Sequence, residues 1–291
     1  MEIASLRYDA SMETVLEMIP LALILCFGIF VQASAGFAAG LIIIPSLLWI
    51  GYSIPEAQAS MLVATIPQNC WGVWSLRDSI SRRRVTWPGL TRVAFLPVGC
   101  GVLWLLQSQP IDRVKQAVGA MVLLVTIAII FFNPKQREHL SPVWTWITFP
   151  ISGFLQGLVG MGGPPMVFWV QAHDWSTRQV RGFLFAMYLI SIVPALTVLY
   201  LYFGNLIFRP MLTAAATIPL LLLVTVVGLK FGDWLGRQRL RRITYGLLLL
   251  IGAAGIASPI LSPSVEAKPA QESSFQDPSG KTVDPLTDQG K

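Results

Sequence analysis

Four glycines and two prolines interrupt an apolar stretch of the chain at residues 156–171, QGLVGMGGPPMVFWVQ. Glycine and proline are poor helix formers, so the pattern predicts a helix that breaks near Gly160 and restarts beyond it. A break leaves backbone N–H groups without carbonyl acceptors, and the N-terminus of the following helix carries a partial positive charge. Because such a terminus binds anions without a basic side chain, the stretch indicates a small-anion site.

A second interruption of the same kind occurs 124 residues earlier in the chain. The segments FVQASAGFAAGLIIIP and FLQGLVGMGGPPMVFW align without gaps, pairing Gln32 with Gln156 and Gly36 with Gly160. Apolar segments follow in the same order after both copies, so we predict an internal duplication. Matching interruptions in two halves of a membrane protein point to the binding site of a transporter.

The composition predicts that these segments lie in a membrane. Hydrophobic residues make up 54% of the 291 residues, charged residues 12%, and the mean hydropathy is +0.63. Soluble domains carry about 25% charged residues. We therefore predict an all-α polytopic membrane protein, with about eight full transmembrane helices and two short Gly/Pro-broken segments. The expected location is the cell membrane, of the bacterial inner-membrane type.

Changes in composition divide the chain into four parts. These are a polar N-terminus at 1–17, a first repeat at 18–133, a second repeat at 143–260 and a polar tail at 263–291. The N-terminus holds four acidic residues and one arginine, so it lacks the basic region of a signal peptide. The tail holds too few apolar residues to form a core, which predicts disorder.

The basic residues favour inverted repeats. If the chain reverses at each break, fourteen Lys and Arg residues before the tail share one face and four lie on the other. Eight plain spans would divide the same residues nine to nine, which gives no orientation signal. The larger group includes Arg92, which this count assigns to a loop face. An odd number of segments per half makes the halves inverted copies, and we expect their breaks to meet near the membrane midplane.

These breaks resemble those of the TauE/SafE sulfite exporter family. The second break, GLVGMGGPP at residues 157–165, is the closer match, and the helix after it begins with Arg178 and Arg181. The first copy departs from the pattern, because Ala38 and Ala39 stand in place of a glycine pair.

The resemblance covers roughly residues 19–259. It implies an integral membrane carrier for sulfite, for organosulfonates such as sulfoacetate, or for related small anions.

Eleven residues are the candidate anion-binding positions, and they are either small residues at the breaks or polar side chains near them. They are Gln32, Gly36, Gly40, Asn69, Gln156, Gly157, Gly160, Gly162, Gly163, Pro164 and Arg181. The alternative for the glycines is close helix packing, and for the amides it is hydrogen bonding between helices or support of a kink. The alternative for Arg181 is a role in setting membrane orientation.

The leading functional hypothesis is a secondary transporter, and specifically an exporter, of small anions. A membrane-embedded enzyme with re-entrant repeats, such as a lipid phosphatase, needs acid, base or nucleophilic groups that the sequence does not place near the breaks. A non-transporting scaffold would leave the paired breaks unexplained. We predict no catalytic residue, metal site, cofactor or nucleic-acid partner. The expected partners are the anionic solute and the lipid bilayer, and a homo-oligomer is compatible with the sequence.

Overall fold

The computed structural model describes residues 2–131, 140–235 and 237–261, which form helices and their connections and contain no β-strand. The helices are α1 (Glu2–Ala35), α2 (Ala39–Trp49), α3 (Ile54–Leu76), α4 (Arg82–Leu105), α5 (Ile111–Phe131), α6 (Pro142–Val159), α7 (Gly163–Gln171), α8 (Thr177–Phe203), α9 (Phe208–Ala216), α10 (Ile218–Leu235) and α11 (Arg237–Leu261). The predicted all-α class is confirmed. The N-terminal part, 1–17, is helical from Glu2 as the start of α1, whereas the tail at 263–291 lies outside the described residues.

Both predicted breaks are present, and both are formed in the same way. Helix α1 ends before Gly36, which has φ +85° and donates its N–H to the Gln32 carbonyl at 2.7 Å. Helix α6 ends before Gly160, which has φ +70° and donates to the Gln156 carbonyl at 3.0 Å. A left-handed glycine that bonds back to the fourth preceding residue is a common helix terminator. The sequence alignment therefore paired structurally equivalent positions.

The helices that follow the breaks are short. Helix α2 has 11 residues and α7 has 9. At 1.5 Å per residue they extend about 16 and 14 Å, roughly half of a 30 Å bilayer core. Their lengths agree with the prediction of two short segments at the Gly/Pro breaks.

Close backbone packing holds the other helices around the breaks. Helix α4 packs along α6, α1 along α10, α3 along α8 and α5 along α11. Glycines lie at several of these contacts: a Cβ atom added to Gly228 of α10 would lie 2.9 Å from the Phe30 carbonyl oxygen of α1. Small residues that let two backbones approach are typical of helix packing in membranes.

Within the described residues, two helical stretches, Arg82–Ser108 and Arg178–Ala216, are long and apolar enough to cross a membrane by length and composition. Shorter apolar helices occupy Met18–Ser34, Ala39–Trp49, Ile218–Phe231 and Tyr245–Ala257. Many large apolar side chains are exposed, including six tryptophans near helix ends: Trp71, Trp74, Trp87, Trp104, Trp144 and Trp146. Exposed tryptophans of this kind suit the boundary between lipid and water.

Candidate functional site

The two breaks meet at one cavity of about 50 Å³, which we call the central cavity. It is lined by Gln32, Phe37, Ala38, Ala39, Gly40, Leu41, Met61, Leu62, Thr65, Asn69, Arg92, Gln156, Gly160, Met161, Gly163, Pro164, Tyr188, Ser191 and Ile192. The breaks touch here, because a Cβ atom added to Gly40 would lie 2.7 Å from the Gly160 carbonyl oxygen. The volume corresponds to roughly three to five water molecules, which is the size range of a small oxyanion.

The first break supplies backbone donors to this cavity. Ala38 adopts φ +93°, a conformation that is unusual for a residue other than glycine, and α2 begins directly after it. The Ile42 N–H bonds to the Ala38 carbonyl at 3.2 Å. The N–H groups of Ala39, Gly40 and Leu41 come before Ile42 in the chain, and they have no acceptor among the described residues. This break therefore offers three donors despite lacking a glycine pair.

The second break uses most of its donors internally. The Gly160 N–H bonds to the Gln156 carbonyl, and the Met161 N–H bonds to the Leu155 carbonyl at 3.3 Å. The Gly162 N–H donates to the side-chain Oε1 of Gln156, also at 3.3 Å. These three bonds close the end of α6 rather than leaving its donors for a ligand.

Two prolines reduce the remaining donors further. Pro164 and Pro165 stand in the first turn of α7 and have no N–H group. The N–H of Gly163, which opens this turn, has no acceptor among the described residues. The second break therefore supplies fewer free backbone N–H donors than its sequence predicts.

A buried arginine lies where the second break lacks donors. Arg92, in the middle of α4, is 1% exposed and lines the central cavity. Its Nη1 donates to the Met187 carbonyl at 2.9 Å and to Ser191 Oγ at 2.8 Å, and its Nη2 donates to Gln156 Oε1 at 3.1 Å. The assignment of Arg92 to a loop face is corrected, because its side chain is held between α6 and α8.

Arg92 is not neutralised within the part of the chain that the structure describes. No carboxylate there lies within ion-pair distance of its guanidinium, and its Nε has no hydrogen-bond partner. The guanidinium carbon lies 5.7 Å from the centre of the Tyr188 ring, which is attractive but carries no net charge. A buried cation without a counter-charge is costly, so the site favours a bound anion.

Two polar side chains from the sequence prediction also line the central cavity. Asn69 is fully buried, and neither of its side-chain polar atoms has a partner among the described residues. Gln32 is buried at the end of α1, and no hydrogen bond from its side chain to a described residue is formed. Thr65 instead donates to the Leu62 carbonyl at 2.9 Å. Asn69 and Gln32 are therefore available to a ligand.

Four of the predicted residues do not line the central cavity. Gly157 packs against the backbone of α4, and Gly162 lies against Arg92, where an added Cβ would be 2.9 Å from Nη2. Arg181 donates to the Ser34 carbonyl at 3.4 Å, near the left-handed Gly36. A cation at the C-terminal end of α1 complements its partial negative charge, so the observed contact is with the helix end.

A family comparison identifies the kind of protein that carries this cavity. The family model described as "Sulfite exporter TauE/SafE" matches residues 21–255. The chain belongs to the TauE/SafE family. One member from Cupriavidus necator, named "Probable sulfite/organosulfonate exporter TauE", is 21% identical over 256 residues, which is 88% of this chain and 98% of that protein. No solved structure matches the chain.

Membership of the TauE/SafE family confirms the resemblance inferred from the two breaks, and with it the prediction of a membrane transport protein. The family is one of transporters, which agrees with the prediction that the chain is not an enzyme. In the described ranges no group of three or more His, Cys, Asp or Glu residues is placed to hold a metal ion.

Proposed function

We propose that this TauE/SafE protein is a secondary transporter that exports small anions such as sulfite or organosulfonates, and that it binds them in the central cavity. The observation that carries the proposal is Arg92, a buried cation without a carboxylate partner among the described residues. Across the same cavity lie the free N–H groups at the start of α2.

The two sides of the cavity supply complementary interactions for an oxyanion. The first turn of α2 offers rigid N–H donors and the positive end of the helix dipole. Arg92 offers full charge, and hydrogen bonds between ionised groups are about twice as strong as neutral ones. Gln156 positions Arg92, because its Oε1 accepts from both the guanidinium and the Gly162 N–H. Asn69, Gln32 and the Gly163 N–H complete the proposed ligand set.

The helix packing supports an arrangement as two inverted repeats. If α1 corresponds to α6 and α4 to α10, the pair α1–α10 is the counterpart of the pair α6–α4. In the same correspondence between the halves, α3 matches α8 and α5 matches α11. Each of these two pairs is therefore its own counterpart. We propose that the protein is multi-pass and that the chain reverses direction at each break near the membrane middle, so that α2 and α7 lead back toward the face at which α1 and α6 enter. Each half then changes faces an odd number of times, which makes the two halves inverted copies.

A flux assay with purified protein in vesicles tests the function. Efflux is measured for sulfite, sulfoacetate, taurine, sulfate and thiosulfate. We expect saturable efflux of sulfite or sulfoacetate, and weaker efflux of taurine. Taurine carries an ammonium group, and none of the described residues that line the central cavity has a carboxylate to pair with it. Efflux no faster than from protein-free vesicles for all five solutes would overturn the proposal.

Cysteine labelling tests the inverted layout. The three native cysteines are replaced by alanine, and single cysteines are introduced as Ser79→Cys, Asp174→Cys, Gln109→Cys and Asn205→Cys. The first two positions precede α4 and α8 and are expected to react from the same face. The other two precede α5 and α9 and are expected to react from the opposite face. Labelling of positions 79 and 174 from different faces would contradict the layout.

A further inference from the structure

A second and larger cavity lies between the N-terminal ends of α4 and α6 and the connection after α7. Its volume is about 610 Å³, against about 50 Å³ for the central cavity. Its lining includes Arg83, Arg84, Trp87, Trp146, Trp169 and His173, and we call it the arginine–tryptophan cavity. Pockets of 300–1,000 Å³ hold organic ligands rather than inorganic ions.

The polar groups of this cavity select an anion. Arg83 and Arg84 supply two cations, and no carboxylate lines the cavity among the described residues. The Arg84 guanidinium lies over the Trp175 ring, 5.3 Å from its centre, which fixes its position. Trp169 is 8% exposed, and its indole N–H has no partner in the part of the chain described. A buried donor of this kind usually has a partner, so it indicates a ligand acceptor.

The rim of the cavity is apolar and aromatic. Trp87 and Trp146 are 64% and 61% exposed, although both are large apolar side chains. In a membrane protein, exposed tryptophans lie at the level of the lipid headgroups. The cavity therefore places its arginines at headgroup depth, beside surface suited to acyl chains. A free oxyanion would fill little of this volume, whereas a phospholipid headgroup and its glycerol backbone match it.

His173 adds an acceptor to the same cavity. Burial lowers the pKa of His173, and the nearby Arg84 charge lowers it further. The hydrogen bond to the Trp169 carbonyl raises the pKa, but the net shift is downward. The ring is thus neutral at pH 7, and its Nδ1–H donates to the Trp169 carbonyl at 2.9 Å. The other ring nitrogen, Nε2, then accepts a hydrogen bond, which suits a headgroup hydroxyl.

We propose that the arginine–tryptophan cavity binds the headgroup of an acidic phospholipid. The phosphodiester lies between Arg83, Arg84 and the Trp169 indole N–H, and a headgroup hydroxyl lies beside His173. Basic pockets at the membrane surface bind anionic headgroups in this way. This site is separate from the central cavity, and its lipid affinity does not depend on whether sulfite is transported.

Titration of the detergent-solubilised protein with phosphatidylglycerol, without sulfite, tests the proposal. Bound lipid is counted by native mass spectrometry. The wild type is expected to retain phosphatidylglycerol over phosphatidylcholine, and Arg83→Gln/Arg84→Gln to bind it roughly 30-fold more weakly, at about fivefold per arginine. Trp169→Phe keeps a smaller aromatic ring but removes the N–H, and is expected to weaken binding about tenfold.

Arg82→Gln is the matched control, because Arg82 belongs to the same basic run but does not line the cavity. It is expected to bind phosphatidylglycerol as the wild type does. An equal loss in Arg82→Gln would show a nonspecific charge effect and overturn the proposal. Glycerol 3-phosphate tests for a soluble ligand: displacement of the lipid at equal concentration would overturn the assignment to a lipid.

Discussion

Arg92→Met is expected to remove most anion binding while leaving the protein inserted and folded. The substitution removes the one full positive charge that lines the central cavity among the described residues. A hydrogen bond to a charged group contributes about 1.5–3 kcal/mol, which corresponds to a loss of affinity of about 10- to 150-fold. This loss should appear both in sulfite binding measured by calorimetry and in sulfite efflux measured from vesicles.

The folding of Arg92→Met should not be impaired, since a buried charge without a counter-ion often destabilises a protein more than an apolar side chain of similar volume. A single symmetric peak in size-exclusion chromatography checks this. Arg92→Lys keeps the charge but cannot make the three bonds to α6 and α8 together, so an intermediate affinity is expected. The exposed Arg113→Met is the control and should transport as the wild type does. Normal sulfite affinity in a well-folded Arg92→Met protein would rule out the site.

Gly40→Ala is expected to produce the second large effect. The added Cβ would lie 2.7 Å from the Gly160 carbonyl oxygen and 3.4 Å from the Met61 sulfur. The sulfur can move, but the carbonyl belongs to the backbone of the second break, so the two breaks must separate. Overpacking of this kind costs about 1–3 kcal/mol. If that cost falls on the binding-competent state, sulfite efflux should decrease by about 5- to 150-fold.

Gly246→Ala is the matched control for this change. Gly246 lies inside α11, and nothing lies within 4 Å of the Cβ it would gain. Alanine is favoured over glycine in a helix by about 1 kcal/mol, so this variant should be as active as the wild type and slightly more stable. Gly40→Ala with the same efflux rate as Gly246→Ala would mean that close contact between the breaks is not needed.

The breaks could be predicted from the sequence because the signal for them is local. Glycine and proline act on the backbone at their own positions, and Gly36 and Gly160 both end a helix in the left-handed conformation. The lack of N–H groups at Pro164 and Pro165 is equally local, because it follows from the residue type alone. What the sequence did not show is that the Gln156 side chain turns back to accept from Gly162.

Arg92 could not be assigned from charge counting, because its partners are distant in sequence. It bonds to Gln156, Met187 and Ser191, which lie 64, 95 and 99 residues away. One local signal was available: Arg92 lies ten residues after Arg82, and ten helical residues rise about 15 Å. That distance takes the side chain well into an apolar helix, too deep for a residue at a loop.

A structure with bound selenite tests the central cavity most directly, since selenite has the charge and shape of sulfite and scatters X-rays anomalously. The expected result is a selenium peak about 4 Å from both the Arg92 guanidinium and the Gly40 backbone nitrogen, the spacing set by hydrogen bonds through selenite oxygens. A structure at saturating selenite with no peak in the central cavity, or with peaks only at surface arginines, would contradict this site.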